Sequence, residues 1–360
     1  MPPLPDLLQY LDETKQPMVI NENMEQAGSR LGMRTIPGTE PVKSWLIVPL
    51  IVDAEVKGAI SLQDIDREHA FSESEVRLLT TVAGSMSVAL ENARLWEQEQ
   101  KYRKALELEL EIGREIQAGF LPQALPHVEG WEITASLRSA REVAGDFYDA
   151  FELPDGTVGL VIADVCDKGV GAALFMTLFR SLIRAASNLE YFEHSAPADS
   201  KRAPADRLQR TMSLTNNYIA ETHGESGMFA TIFFGILDPR NGRLIYINGG
   251  HEPPLIAQSG SIREALQKTG PAVGVIRDRV FDVRETQIHS GDIFLALTDG
   301  VIEAKNVHGE FFGRERLRQI LQQAGDSASG LIKSIELALD QHISSGVQYD
   351  DITLLAARKS

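Results

Sequence analysis

Hydrophobic and polar positions along this chain keep two rhythms, period two and period three to four, and the stretches that keep neither separate its parts. The first 44 residues are mixed and proline-punctuated, with one helical pattern at Asp6–Leu11. From Trp45 the pattern sharpens: Trp45–Val52 and Val56–Leu62 read as two strands around an Asp53-Ala54-Glu55 turn. Ser72 then reads as a helix N-cap, with Glu75 three residues on and Val76, Leu78, Leu79 and Val82 as the apolar face behind it. From Ser85 to Phe120 the pattern stays helical and contains no proline. Val88, Leu95, Tyr102, Ala105, Ile112 and Ile116 recur there at spacings of three, four or seven, interrupted by Gln98 and Glu109. Two readings stand: a solvated connector, or a parallel coiled coil between two dimeric halves. The second is favoured because so long a helix needs a partner for its stripe. Pro122 and Pro126 end it.

From Gly130 onwards strands dominate. Trp131–Leu137 and Val158–Ala163 read as strands, Ala172–Leu189 and Pro204–Thr222 as helices, and Tyr191–Arg202 as a polar loop. Met228–Leu237 and Arg243–Ile247 form a hairpin around Asp238-Pro239-Arg240-Asn241-Gly242. Strands follow at Leu255–Ala257, Val280–Ile288 and Ile293–Thr298, then helices at Arg314–Gln323 and Ala328–Ile343, and a last strand at Ile352–Ala357. Strands come in runs with helices grouped between and after them. That order predicts α+β architecture, with hairpin-built antiparallel sheets covered by helices.

Composition narrows the function. With 360 residues two domains are expected, and the formal net charge of −16 argues against nucleic acid or an anionic membrane as the main partner. The single cysteine, Cys166, excludes an intrachain disulfide and suits a reducing cytoplasm. No apolar run reads as a membrane span and the N-terminus does not read as a signal peptide, so the expected location is the cytoplasm.

The chemistry gathers where strands start and stop. Asp164 follows Leu160-Val161-Ile162-Ala163, and a Gly-punctuated turn and a helix follow it. Asp299 follows Phe294–Thr298 and precedes Gly300; Asp350 and Asp351 precede Ile352–Ala356; Asp146 and Asp149 lie between two expected strands. Any one of these could be a turn former. If the four groups converged, their repulsion and desolvation would demand a counter-charge. With oxygen donors and no Cys or His cluster, that charge would be Mg²⁺ or Mn²⁺ rather than Zn²⁺. Two ions bridged by Asp164 would activate a shared water.

Five motifs then carry a resemblance. They are Ala144-Gly145-Asp146-Phe147-Tyr148-Asp149, Asp164-Val165-Cys166-Asp167-Lys168-Gly169, Tyr246-Ile247-Asn248-Gly249-Gly250-His251, Leu297-Thr298-Asp299-Gly300-Val301-Ile302-Glu303-Ala304 and Tyr349-Asp350-Asp351-Ile352-Thr353-Leu354. In this order, over residues 115–358, they resemble the SpoIIE/RsbU-like bacterial branch of the metal-dependent, type 2C-like protein serine/threonine phosphatases. Residues 45–97 resemble the C-terminal half of a GAF domain, while residues 1–44 match it poorly.

The resemblance implies an αββα sandwich with a two-metal site at one edge of its sheets. Asp146 and Asp164 would hold one Mn²⁺ or Mg²⁺ with the backbone carbonyl of Val165, and Asp164, Asp299 and Asp350 would hold the other. A metal-bound hydroxide would attack the phosphorus in line. Asp149 and Asp351 are candidates to support these ligands, or else turn formers. Eukaryotic relatives have a His after the residue matching Asp164 and an Arg on the substrate phosphate. Here Cys166 and Asp167 stand near the His position and no Arg is identified, leaving Lys168 as the phosphate candidate; Cys166 and His251 are expected to be structural.

The expected organisation is a partial GAF-like α/β domain over 1–84, a connector helix over 85–121 and the phosphatase domain over 122–360. The implied substrate is a phosphorylated regulatory protein such as an anti-sigma-factor antagonist, and the expected assembly is a homodimer through 85–120. Two alternatives stay open: a catalytically silent interaction module on the same fold, and a metal-dependent hydrolase of another phosphoester.

Overall fold

The computed structural model describes residues 5–31, 40–188, 204–258, 260–323, 325 and 327–360. The loop expected at Tyr191–Arg202 lies outside them. The chain divides into two units, Met1–Glu107 and Leu108–Ser360, and helix α3 (Glu73–Phe120) contributes to both.

In the first unit, α1 (Pro5–Thr14), β1 (Met18–Ile20), α2 (Met24–Arg30), β2 (Ser44–Val52) and β3 (Glu55–Asp64) precede α3. The strands form an antiparallel sheet in the order β1-β2-β3. Period two on β2 decides what covers each face. Trp45 and Ile47 pack with Leu7 and Leu11 of α1, whereas Leu46 and Val48 pack with Ala83, Val76 and Leu79 of α3. The β2–β3 turn puts Asp53 and Ala54 at φ 49° and 63°, the double left-handed geometry of a tight hairpin. At the start of α3 the Glu75 carboxylate accepts the Ser72 N–H at 2.6 Å, one arm of the capping box that the spacing predicts.

The second unit is the expected αββα sandwich. Its elements are β4 (Trp131–Arg138), β5 (Phe147–Glu152), β6 (Val158–Val165), α4 (Val170–Ser187), α5 (Pro204–Thr222), β7 (Ala230–Asp238), β8 (Arg243–Gly249), β9 (Leu255–Gln258), β10 (Ser261–Ala265), β11 (Arg284–Gln287), β12 (Ile293–Leu297), α6 (Asp299–Ile302), α7 (Gly313–Gln323), α8 (Ala328–Ile343) and β13 (Ile352–Lys359). One five-stranded antiparallel sheet runs β10-β9-β12-β13-β4 and the other β11-β8-β7-β6-β5. Both faces of each sheet are covered, so the central strands read as continuous apolar runs. Val161, Ala163 and Val165 of β6 pack under α4 and α5, while Val158, Leu160 and Ile162 point between the sheets to meet Phe233, Phe294 and Leu355. Leu354 and Ala356 of β13 pack under α7 and α8. By length and composition α4 could cross a membrane, but here it packs on the sheet through Met176, Phe179 and Ile183.

Three strand expectations change. Residues Phe147–Glu152 form β5, which places Asp149 inside a strand rather than between two. Its buried face carries Phe147, Asp149 and Phe151, and the acid in the middle breaks the apolar alternation. Asp149 is 1% exposed and is forked by Arg184 of α4 at 2.7 Å on both oxygens, with Arg180 at 3.0 Å. Strand β10 is short and largely exposed, so it lacks an apolar signature. The expected strand Val280–Ile288 shrinks to Arg284–Gln287, because Phe281 turns inward against Gly270, where a Cβ would lie 2.5 Å from its ring.

Candidate functional site

Antiparallel pairing brings the acids together. Phe147 pairs with Ala163, so the start of β5 lies beside the end of β6, placing Asp146 next to Asp164. In the facing sheet Leu297 pairs with Leu354, so the end of β12 lies beside the start of β13, placing Asp299 next to Asp350. A hydrogen bond joins the two sheets at this edge: Thr353 Oγ1 donates to Asp146 Oδ2 at 2.7 Å. Thr298 also bonds Asp146, and its hydroxyl accepts the Thr353 N–H at 3.1 Å. Both threonines are fully buried.

Electrostatics register the proximity. Burial, then the Asp164 and Asp351 charges, hold the Asp146 carboxyl well above the ordinary carboxylate range. Burial, then Asp299, Asp350 and Asp351, push Asp164 up to about 7, against a lowering hydrogen bond from Asp146. Burial, Asp350 and Glu303 raise Asp299. Asp350 is paired with Lys168, Nζ to Oδ2 at 2.8 Å, and the same ammonium donates to the Tyr349 carbonyl at 2.6 Å. Among the described residues no three His, Cys, Asp or Glu side chains are grouped as a metal cage. The acids are in electrostatic reach, with Asp350 turned to Lys168 and Asp146 to the threonines. Their chemistry suits a hard divalent cation: oxygen donors only, mutually destabilised as anions.

Close packing shapes the turns. A Cβ on Gly300 would lie 1.9 Å from the Asp351 carbonyl oxygen, so the Asp299 turn needs a glycine to sit against the β13 entry. A Cβ on Gly145 would lie 3.2 Å from the Val165 carbonyl oxygen, which places that carbonyl beside the Asp146 turn. After Asp164, Asp167 and Gly169 take φ 71° and 89° to lead into α4. Gly171 is different: nothing lies within 4 Å of a Cβ there, so only Gly169 needs its freedom.

The supporting residues separate. Asp351 holds the Asp146 turn, Oδ1 accepting from Ala140 N–H and Oδ2 from Gly145 N–H, each at 2.7 Å. Asp149 instead faces the α4 arginines. His251 is fully buried with Nδ1 3.0 Å from Thr231 Oγ1, and burial brings it down to about 3, so the ring is neutral. The Cys166 thiol accepts the Phe229 N–H at 3.1 Å, and burial raises its pKa.

Sequence reasoning passed over Thr298, Thr353 and Arg141. The threonines carry no signal beyond their place beside the acids. Arg141 is exposed, five residues before Asp146, and its Nη1 lies 3.8 Å from the Cβ position of Gly169, at the entry to α4. Its signal was a lone cation in the turn of a predicted acid.

A sequence model of the family described as Stage II sporulation protein E (SpoIIE) matches residues 154–360, and a GAF domain model matches residues 10–91. The latter carries the GAF likeness further towards the N-terminus than the expected residues 45–97. Protein IcfG of Synechocystis sp. is 37% identical over 342 residues, covering 90% of this chain and 54% of that protein. Phosphoserine phosphatase RsbU of Bacillus subtilis is 25% identical over 259 residues, covering 71% of this chain and 72% of RsbU. This chain therefore spans about half the length of IcfG. The SiaA-PP2C domain of Pseudomonas aeruginosa superposes with a TM-score of 0.57 at 22% identity, over 72% of this chain and 99% of the domain, a likeness of fold. The profile match over 154–360, on an αββα sandwich with acids at one edge, makes this chain a member of the SpoIIE family of PP2C-like, metal-dependent phosphatases, joined to a GAF domain.

Proposed function

We propose that this chain is a protein phosphatase that hydrolyses phosphoserine or phosphothreonine on a regulatory protein, using two Mn²⁺ or Mg²⁺ ions. The observation that carries the reading is the mutual charge repulsion of Asp146, Asp164, Asp299 and Asp350 along one edge, where Asp146, Asp164 and Asp299 are each raised by burial and neighbouring carboxylates. Asp146, Asp164 and the Val165 carbonyl would hold one ion, and Asp164, Asp299 and Asp350 the other. When bound, the ions supply the positive charge that ionises water near neutral pH and offsets charge on the phosphoryl oxygens. Asp351 orients the Asp146 turn. Arg141, whose Nη1 lies 3.8 Å from the Cβ position of Gly169, and Lys168, the residue before that glycine, would hold the substrate phosphate, Arg141 as the fork that suits a phosphate. Lys168 is paired with Asp350, and were Asp350 to hold an ion, the Lys168 ammonium would be available to the phosphate.

The name of RsbU, a phosphoserine phosphatase, supports the choice of phosphoserine. A phosphorylated anti-sigma-factor antagonist is the proposed substrate class and the cytoplasm the proposed location. The proposed domains remain 1–84, 85–121 and 122–360. Control by the GAF part runs through a parallel dimer of residues 85–120, supported by the exposure of Val88, Leu95, Tyr102, Ile112 and Ile116 on α3. The test is Mn²⁺-dependent release of phosphate from a phosphoserine peptide by the full chain. Asp164→Ala and Asp299→Ala should each abolish it, and unchanged turnover in either refutes the reading.

One observation favours a second reading. The Lys168 ammonium already neutralises Asp350 at 2.8 Å, as it would in a silent interaction module that has replaced a metal by an internal cation. Calorimetry decides: absence of Mn²⁺ binding by the wild-type chain supports the silent module, and binding that Asp164→Ala removes supports the enzyme.

A further inference from the structure

Beyond α6 the chain makes a tight hairpin that closes on two adjacent phenylalanines with opposite fates. Lys305 and Phe311 bridge as antiparallel partners, and the Phe312 N–H donates to the Ala304 carbonyl at 2.7 Å. Asn306 stiffens the tip, its Oδ1 accepting the N–H groups of His308 and Glu310, each at 2.9 Å. Phe312 anchors the hairpin in the core of the second unit, whereas Phe311 is 52% exposed. The turn before Asp350 packs alongside: a Cβ on Gly346 would lie 3.7 Å from the Lys305 carbonyl oxygen, and Tyr349 is 63% exposed. The half-buried Lys305 places its ammonium over both rings, 5.3 Å from the centroid of Phe311 and 5.3 Å from that of Tyr349. Aromatic faces hold a cation in place without neutralising it. Among the described residues no carboxylate is within ion-pair distance of Lys305, whereas Lys168, which binds the Tyr349 carbonyl, is committed to Asp350.

We propose that Lys305, Phe311 and Tyr349 form a recognition platform beside the acid edge, one that reads the protein substrate next to its phosphoserine and prefers an acidic side chain there. The assignment rests on the phosphatase reading, which puts the phosphoserine at that edge. Tyr349 adjoins Asp350, and an extended peptide advances about 3.3 Å per residue, so residues about two to four places from the phosphoserine would cross the rings. The methylenes of an Asp or Glu side chain lie against the apolar faces and its carboxylate meets the ammonium. Val307 and Val347, two residues from Lys305 and Tyr349, add exposed apolar surface to the two loops. Charge makes the preference matter. On a chain of formal net charge −16 an acidic segment is repelled from most of the surface, so one uncommitted cation beside the site selects where that segment settles. An exposed lysine gives up most of such a gain in ordering its own side chain; the rings have already ordered Lys305.

The experiment uses the full chain with Mn²⁺ and phosphoserine peptides in which Ala, Glu or Lys stands at each place within about four residues of the phosphoserine. It reads kcat and KM, and also binding by fluorescence anisotropy of the same peptides carrying the phosphonate analogue of phosphoserine, which is not hydrolysed. At one or more places Glu should exceed Lys by about 10-fold in kcat/KM, through KM, and by a similar ratio in affinity. Lys305→Ala should bring that ratio within twofold with kcat unchanged, and Lys305→Glu should invert it. Phe311→Ala, which frees one side of the ammonium, should narrow it to about threefold. Lys333→Ala, which removes an exposed lysine from α8, should leave it as in wild type. A wild-type ratio within twofold at every place overturns the platform, as does a ratio that survives Lys305→Ala. An equal loss for all peptides in Lys305→Ala, with a lower melting midpoint, makes the cluster a fastener between two loops and overturns recognition. A wild-type chain without Mn²⁺-dependent turnover of any peptide refutes the phosphatase reading, and the anisotropy ratios then decide the platform by themselves.

Discussion

Replacing Gly300 by alanine tests whether the Asp299 turn must lie where it does. The added methyl would stand 1.9 Å from the Asp351 carbonyl oxygen, while even tight Cβ contacts are not closer than 3.0 Å, so the backbones must separate by about 1.1 Å. The obstacle is backbone, and no side-chain rotation relieves it. Overpacking of this kind costs about 1–3 kcal/mol, which for this chain means a lower melting midpoint without loss of fold. The larger effect falls on chemistry. Asp299 and Asp350 flank the contact, and a displacement near 1 Å at a reacting centre costs about 100-fold. The assay pairs thermal melting with kcat/KM for a phosphoserine peptide over a Mn²⁺ titration. Gly300→Ala should lose about 100-fold in kcat/KM and need more Mn²⁺ for half-saturation. Gly171→Ala, in a helix with open space around the added methyl, should be neutral or stabilised by up to about 1 kcal/mol. Activity of Gly300→Ala within threefold of wild type would refute the claim that this contact sets the acid spacing.

Other outcomes follow from single groups. Arg141→Ala should raise KM for the phosphopeptide by about 10- to 150-fold, the worth of a charge-assisted hydrogen bond of about 1.5–3 kcal/mol, with Mn²⁺ half-saturation unchanged; a KM within twofold removes Arg141 from the phosphate site. His251, brought from 6.5 to about 3, binds its proton less readily folded than unfolded. Its contribution to stability is therefore complete above pH 6.5 and shrinks as pH falls towards 3, by about 3 kcal/mol at pH 4.5. Denaturant melts at pH 7.5 and 4.5 should show that drop in wild type and a smaller one in His251→Gln; equal drops would be inconsistent with a neutral buried ring. The Glu132 carboxylate accepts from the N–H groups of Ala328 and Ser329 at 2.9 and 3.0 Å, capping α8 from β4, and these bonds lower it to about 2 despite burial. Glu132→Ala should cost about 1–3 kcal/mol at pH 7 by chemical denaturation, with kcat unaltered.

Much was legible in one dimension because the physics is local. Short continuous apolar runs bounded by Gly and Asp mark β6, β7, β12 and β13, and Ser72 with Glu75 marks the start of α3. The acids Asp146, Asp164, Asp299 and Asp350 stood out because each borders an apolar run or another strand signal. Strand β5 was obscured because its helix-facing side carries Asp149, whose burial depends on Arg180 and Arg184 more than thirty positions away.

By itself, then, the amino-acid order determined the central strands and most helices of the second unit, their antiparallel class, the family motifs and the acids at strand ends, since all of these follow from neighbours within a few residues. Only the tertiary structure decided which acids face one another. Register aligned Phe147 with Ala163 and Leu297 with Leu354, and the two sheets then met through Thr353 and Asp146. The same long-range packing sent Asp149 to α4, gave Asp351 the Asp146 turn, brought Arg141 to the α4 entry and set Lys305 over Tyr349. Such partners are invisible in sequence because a hydrogen bond reads distance in space, and chain separation leaves that distance open until the sheets have closed.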